Sequence, residues 1–204
     1  MGLLSTDEKQ RIEQAVAQAE RRTAGELVVV VAERSSDYAA FRAGLAAALT
    51  VALAIEAVDL LDVAPWMILL LQLPAGAAWY ALLGHRAWLR WFVPKAAREQ
   101  AVAERALSVF LESGVSQTRD RSGVLVFLSE AERRAVILAD KGINLRVAPE
   151  EWQTDIETLV RAIRQRDAAG GLLAVVERIG GILAESFPPR ADDANELPNA
   201  VREL

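Results

Sequence analysis

The chain has 204 residues, a net charge of −5 and no cysteine, which excludes disulfides, thiolate metal sites and a cysteine nucleophile. Its single histidine excludes a multi-histidine metal centre, and the lack of a Lys/Arg block makes nucleic acid a poor partner. Apolar residues make up 52% and the mean hydropathy is +0.17, which is high for a soluble protein, so we expect a membrane segment.

The first predicted element is an amphipathic helix and not a signal peptide, because residues 3–22 are charged throughout and contain no apolar core. Ser5 and Glu8 have the spacing of a capping box. Three apolar residues then fall on one face: Ile12, Val16 and Ala19. After Gly25, the continuous β-branched run GELVVVVAE predicts a strand that is buried on both faces.

Two apolar segments follow, and residues 43–84 contain no Lys or Arg. Residues 63–84 carry no charge, and their length suffices for a hydrocarbon core of ~30 Å. The run at 41–61 is less apolar because it contains Glu56 and Asp59, although Arg42 can extend to the near interface. The alternative is a buried helical pair in a soluble domain.

Aromatic residues favour the membrane interpretation because they flank the two segments. We expect Trp66 at one interface and four aromatic residues at the other: Trp79, Tyr80, Trp88 and Trp91. The segment HRAWLRWFVPK that follows is suited to the headgroup layer, and the alternative is a basic stop-transfer flank without lipid specificity.

Loop charge predicts the orientation. The turn between the segments carries only acids: Glu56, Asp59 and Asp62. The outer flanks carry the bases Arg34, Arg42, Arg86, Arg90, Lys95 and Arg98. The positive-inside rule therefore predicts two spans in a bacterial inner membrane, with both termini in the cytoplasm.

The remaining residues alternate between helices and strands. A helix is predicted from Pro94 to Gly114, and residues 123–130 and 134–143 are predicted to form an antiparallel hairpin. Two helices follow, at 148–165 and 168–187, and Gly180 and Gly181 are expected to let the second approach the sheet closely. The tail from Pro188 is expected to be mobile.

This order predicts an α/β fold in which helices flank a small sheet, with an inserted two-helix transmembrane hairpin. Residues 1–40 and 94–190 would form one discontinuous cytoplasmic domain. Residues 41–93 would form the hairpin with its basic and aromatic flank, and residues 191–204 the C-terminal tail.

Five segments together resemble the TPM domain family, also called the TPM phosphatase family, and are most similar to its bacterial membrane-attached branch. They are TAGELVVVV (23–31), RSGVLVFLSEAERRAVILADKGI (121–143), Trp152, GGLLAVVERIGGILAESFP (170–188) and NELPN (195–199). The resemblance implies an α/β sandwich with a small mixed sheet. It also implies acid phosphatase activity or metal binding, as in some members. The chain departs from the family members of the plant thylakoid lumen at Asp120-Arg121-Ser122-Gly123, where those members tend to have Asp-Asn-Gly.

Three acids near predicted strand ends are candidate ligands for Mg²⁺ or Ca²⁺: Glu26, Asp120 and Asp140. Each has an alternative role. Asp140 would stabilise a turn in which Gly142 has a positive φ, Asp120 would be a solvated loop charge, and Glu26 would pair with Arg21 or Arg22.

No catalytic residue can be named, because no phosphate-binding loop, nucleophile elbow or zinc motif is present. Two hypotheses stay open. One is an interaction or accessory module that contacts the bilayer, other membrane proteins or a second copy through Gln72, Gly76, Ala77 and Ala78. The other is a metal-assisted phosphatase that uses the three acids.

Overall fold

A computed structural model describes residues 3–61, 64–85, 88, 91–148, 150–190 and 195–204. Asp62, Arg86 and Arg90, which contribute to the predicted orientation, lie outside the described residues. The chain divides into two compact units. The first unit comprises Met1–Ser35 and Glu99–Leu204, and the second unit comprises Ser36–Arg98.

The elements alternate as the sequence predicts, with three short additions. In chain order they are α1 (Thr6–Glu20), β1 (Glu26–Ala32), α2 (Ala39–Leu61), α3 (Pro65–Leu83), α4 (Lys95–Glu112), a 3₁₀ turn (Val115–Gln117), β2 (Gly123–Ser129), β3 (Arg134–Ala139), α5 (Lys141–Asn144), α6 (Glu151–Gln165), α7 (Ala168–Ser186) and β4 (Arg202–Glu203). The additions are the 3₁₀ turn, α5 and β4.

The strands form a mixed sheet in the order β3-β2-β1-β4. β1 runs parallel to β2 and to β4, whereas β2 and β3 form the predicted antiparallel hairpin. Every residue of β1 and of β2 is buried. The prediction that the first apolar run is a strand buried on both faces is therefore confirmed.

Helices cover both faces of this sheet. Leu27, Val29 and Val31 belong to the core that is shared with α1, α6 and α7. Val28 and Val30 point to the opposite face, where they join a second core with α4. The predicted inward residues of α1 and α4 are buried: Ile12, Val16, Ala19, Val102, Ala106, Val109 and Phe110. The alternation along β1 thus fixes which helices lie on each side.

The expectation that the tail is mobile is wrong for residues 195–204. Arg202 and Glu203 pair with Val30 and Val31 of β1. The Leu204 amide donates to the Val31 carbonyl at 3.1 Å. The tail therefore closes the outer edge of β1, which would otherwise present unpaired backbone groups. A two-residue strand is too short to produce an apolar periodicity, so sequence patterns could not predict it.

Gly180 and Gly181 differ in their surroundings, and the expectation that both approach the sheet is wrong. A Cβ at Gly180 would lie 2.6 Å from the Cβ of Ala19, so this glycine lets α7 pack closely against α1. A Cβ at Gly181 would have nothing within 4 Å. Only Gly180 lies where a larger residue would collide with a neighbouring element, and that element is the helix α1 and not the sheet.

In the second unit, α2 and α3 are both long and apolar enough to cross a membrane. Arg42 joins the beginning of α2 to the end of α3. Its Nη2 donates to the Tyr80 carbonyl at 2.8 Å, and its guanidinium lies 4.1 Å from the centre of the Tyr80 ring. A Cβ at Gly84 would lie 2.5 Å from Nη2, so the glycine leaves room for this contact.

We predict that Gly180→Ala lowers the free energy of unfolding by about 1–3 kcal/mol, because the added methyl overlaps Ala19 and the two helices must move apart. Gly181→Ala is the matched control and is expected to raise it by about 0.5–1 kcal/mol, since alanine favours the helix and meets open space. Denaturant unfolding of the full chain in detergent, followed by circular dichroism, measures both. Equal effects of the two substitutions would contradict the assigned contact.

Candidate functional site

The three predicted metal ligands lie at one end of the sheet. Glu26 is the first residue of β1 and is paired with Gly123, the first residue of β2. Asp120 comes shortly before Gly123 in the chain. Asp140 directly follows β3, and its amide donates to the Gly123 carbonyl at 2.9 Å. The parallel register thus brings Glu26 to the same end as the two hairpin acids.

Asp140 acts as a helix cap in this structure. Its Oδ1 accepts a hydrogen bond from the Lys141 amide at 2.7 Å, and it is the N-cap of α5. Its Oδ2 lies 3.8 Å from Nη1 of Arg121. The predicted turn with a positive φ at Gly142 is wrong, because Gly142 lies within α5. Glycine is required there for space, since a Cβ would lie 2.5 Å from the Asp120 carbonyl oxygen.

Asp120 and Glu26 also have partners of their own. The Oδ2 of Asp120 lies 2.6 Å from Nη1 of Arg190. Glu26 is only 6% exposed, and its Oε1 accepts a hydrogen bond from the Glu196 amide at 3.0 Å. The residues that the structure describes contain no group of three or more His, Cys, Asp or Glu side chains that could hold a metal ion. The structure therefore does not gather the three acids into such a group.

The residue that the sequence analysis missed is Glu20, the last residue of α1. Glu20 and Glu26 both line a cavity of about 450 Å³. The Oε1 of Glu20 accepts a hydrogen bond from the Leu27 amide at 3.0 Å, and its Oε2 accepts one from Nδ2 of Asn199. No motif marks this glutamate, since it ends an ordinary amphipathic helix and acquires its role only when β1 and the tail pack beside it.

The pKa of Glu20 is raised to about 7, chiefly by burial and also by the nearby charge of Glu26, while the hydrogen bonds from Leu27 and Asn199 oppose the shift. A carboxyl group with a pKa near neutrality can change its protonation state at physiological pH. Sites that transfer or sense protons use groups of this kind. The cavity therefore contains one titratable group that is suited to proton transfer.

The tail forms one wall of this cavity through Asn195 and Asn199. Three carboxylates of α1 and β1 accept hydrogen bonds from the tail. Glu26 accepts from the Glu196 amide, Glu20 accepts from Asn199, and Glu13 accepts from the Val201 amide at 3.1 Å. The NELPN segment thus attaches the tail to α1 and β1.

A second cavity of about 580 Å³ lies at the same end of the sheet and shares Arg190 with the first. Asp120, Arg146 and Phe187 also line it. The guanidinium of Arg146 lies 4.3 Å from the centre of the Phe187 ring. Two arginines and one carboxylate are the charged groups of this lining, which also contains apolar residues such as Leu145 and Phe187 and has no hydroxyl nucleophile among its described residues.

The five predicted interface aromatics belong to the second unit. Trp66 and Trp91 are the most exposed, at 63% and 83%. Trp88 and Tyr80 are 44% and 37% exposed, and Trp79 is partly buried. Aromatic rings exposed at the ends of apolar helices are typical of membrane interfaces.

Comparisons with known proteins give a family and a fold. Residues 91–182 match the family model described as the TPM domain. This segment, a little under half of the chain, is therefore similar to a TPM domain. The NMR structure of BA42 protein from the psychrophilic bacterium Bizionia argentinensis is similar, with a TM-score of 0.62 and 22% identity over 98% of this chain and 95% of that one. At this identity the likeness shows a shared fold only. No curated protein matches the chain.

The matched TPM segment contains two of the three predicted acids. Asp120 and Asp140 lie within residues 91–182, whereas Glu20, Glu26 and Asn199 lie outside them. The cavity around Glu20 is therefore built from residues on both sides of the matched TPM segment.

We predict that the first unit becomes less stable as the pH rises from about 4.5 to about 7, because of Glu20. Its carboxyl binds a proton more tightly in the folded chain than in the unfolded chain, so folding takes up protons between pH 4.5, the ordinary pKa of a glutamate, and about pH 7. The contribution is about 1–2 kcal/mol once partial exposure is allowed for. Glu20→Gln cannot ionise, so the free energy of unfolding of the full chain should vary less between pH 5 and 8.

The matched control is Glu185→Gln, which removes an exposed carboxyl from α7. Denaturant unfolding at several pH values measures all three proteins. A Glu20→Gln profile that is parallel to the wild-type profile would contradict the assignment.

Proposed function

We propose that this protein is a membrane-tethered TPM domain, an interaction or accessory module at the inner face of the bacterial inner membrane. Residues 1–40 and 94–190 would form the cytoplasmic domain, and residues 41–93 the hairpin in the bilayer. The observation that carries the proposal is the exposure of apolar side chains on α2 and α3.

Only 11% of the most apolar stretch of α2 and 6% of that of α3 are buried within the protein. Core helices of soluble proteins bury most of their apolar surface, so these two helices do not fit the alternative of a buried pair. Large exposed apolar residues are concentrated on them: Val51, Leu53, Ile55, Val58, Met67, Leu69, Leu70, Leu71, Leu73 and Leu82. Removing one such side chain from water is worth about 1.5–3 kcal/mol. A bilayer supplies the environment that these side chains need.

The contact between Arg42 and Tyr80 supports the predicted orientation. It places the basic beginning of α2 beside the end of α3, where the basic flank begins. Glu56 lies in the last part of α2, away from this contact. A hairpin with bases at its open end and acids near its turn favours a cytoplasmic open end, and hence cytoplasmic termini.

A module without catalysis is favoured over a phosphatase by the state of the polar side chains. The hydroxyl of Ser129 donates to a carboxylate oxygen of Glu132, but the two residues are only 0% and 1% exposed. A substrate could not reach this pair without local unfolding. The three strand-end acids do not form a metal-binding group among the described residues. A module that binds a partner through its surface requires neither an accessible hydroxyl nucleophile nor a metal site.

We predict that the double substitution Leu69→Arg and Leu70→Arg releases the protein from the membrane fraction. An arginine costs about 2.5–3.5 kcal/mol at the centre of a span and less toward its end; Leu69 and Leu70 lie in the second turn of α3 and are more than two-thirds exposed, at 69% and 68%. Alkaline extraction of membranes and immunoblotting measure the release. The control is Leu111→Arg with Leu145→Arg on the first unit, whose leucines are 56% and 86% exposed. Wild-type protein in the soluble fraction would overturn the proposal.

We predict that a reporter fused after Leu204 is active only in the cytoplasm. The physical reason is the excess of Arg and Lys on the flanks of the hairpin, which resist translocation. Paired fusions to a fluorescent protein and to an alkaline phosphatase measure the location, and a fusion in the turn after Leu61 is the opposite-side control. Phosphatase activity from the terminal fusion would reject the orientation without rejecting the tether.

A further inference from the structure

The two apolar helices leave a groove between them. Its volume is about 240 Å³, and its lining includes Ala54, Ala57 and Ala75 along with two polar residues, Thr50 and Gln72. The remaining lining residues are leucine and isoleucine, and none is charged. Alanines on facing helices let another helix backbone approach closely, which is how helices associate in a bilayer.

The two polar side chains of the groove differ in how they are satisfied. The Thr50 hydroxyl donates to the Ala46 carbonyl of its own helix at 2.7 Å. The Gln72 carboxamide, by contrast, forms no hydrogen bond with any residue that the structure describes. Gln72 is the eighth residue of the 19-residue α3, close to the middle of the span. An amide without a hydrogen-bond partner is strongly unfavourable in hydrocarbon.

The chemistry of this side chain restricts what can occupy the groove. A lipid chain could fill the apolar space, but it would leave the carboxamide unsatisfied. A charged partner would find no opposite charge on the groove lining. A carboxamide is both donor and acceptor, so two of them related by a two-fold axis can exchange two N–H···O hydrogen bonds. A second copy of the same helix therefore satisfies the amide with no other component.

We propose that the hairpin forms a two-fold symmetric dimer within the bilayer, in which this groove contacts its equivalent and Gln72 pairs with the partner's Gln72. This inference depends on the proposed membrane placement of α2 and α3. It makes the tether a dimerisation element and presents two TPM domains at one point on the membrane.

The absence of cysteine permits a direct test by disulfide cross-linking of single-cysteine variants in native membranes. Ala54→Cys and Ala75→Cys place the thiol in the groove. Leu73→Cys places it on a leucine that is 84% exposed and does not line the groove. After mild oxidation we expect a band of twice the chain mass from at least one groove variant, with at least fivefold less from Leu73→Cys.

Gln72→Met removes the amide at similar size and should lower the groove cross-link several-fold, whereas Gln72→Asn should retain part of it. Alkaline extraction of each variant reports insertion separately. A protein that is not inserted overturns the proposed function, and the dimer with it. An inserted protein that yields no groove cross-link, cross-links equally at residue 73, or is insensitive to Gln72→Met overturns the dimer alone. A cross-linked band of another mass identifies a different partner and also overturns it.

Discussion

The first unit depends on the parallel pairing of β1 and β2, two seven-residue strands in which every residue is buried. Parallel neighbours cannot be joined by a tight turn, because the chain must return to the other end of the sheet before the second strand begins. In this protein the return passes through Ser36–Arg98 and then α4. The chain leaves β1 at Ala32, whereas Glu26, Asp120 and Asp140 lie at the end of the sheet where β1 begins. The sheet can therefore keep its register while the crossover carries a long apolar insertion, since the insertion joins the unit only at the ends of that connection.

The outer edge of β1 explains both the position of the tail and the state of Glu20. β4 pairs only with Val30 and Val31, so it leaves the beginning of β1 without a neighbouring strand. There the Leu27 amide donates to the Glu20 carboxylate, which serves as the acceptor that a longer β4 would have supplied. A buried amide requires such a partner. The same position removes the carboxylate from water and sets it near Glu26, which are the two causes that raise its pKa to about 7. The position of Glu20 at the edge of β1 thus both closes that edge and raises the pKa of its carboxyl, although the hydrogen bond from Leu27 itself opposes the rise.

The sequence was informative where a pattern repeats and uninformative where a contact is made once. Continuous apolar runs predicted β1 and the hairpin, and apolar spacing predicted the inward faces of α1 and α4 correctly. The β4 pairing and the role of Glu20 depend on segments that are far apart in the chain, since Glu20 and Asn199 are 179 positions apart. Gly180 and Gly181 are adjacent in the chain, and the sequence does not show which of them packs closely. Only the contact between Gly180 and Ala19 distinguishes them. The three acids were correctly placed at strand ends, but side-chain direction and local partners decide whether carboxylates converge, and spacing encodes neither.

The distribution of polar groups also differs between the two units. In the first unit, buried hydroxyls are satisfied by long-range hydrogen bonds: Thr23 donates to the Phe187 carbonyl at 2.6 Å and Ser122 to the Ala24 carbonyl at 3.0 Å. In the second unit, apolar side chains are exposed along most of two helices, and hydrogen bonds from polar side chains are few: Thr50 donates within its own helix and Arg42 to the Tyr80 carbonyl. Water would favour the first arrangement and oppose the second, because exposed apolar area is unfavourable and an α-helix already satisfies its own backbone. Hydrocarbon reverses both preferences. The first unit therefore has the distribution of polar groups that water favours, and the second unit has the one that hydrocarbon favours. Gln72 is the exception in the second unit, because its amide has no hydrogen-bond partner among the described residues of its own helix pair.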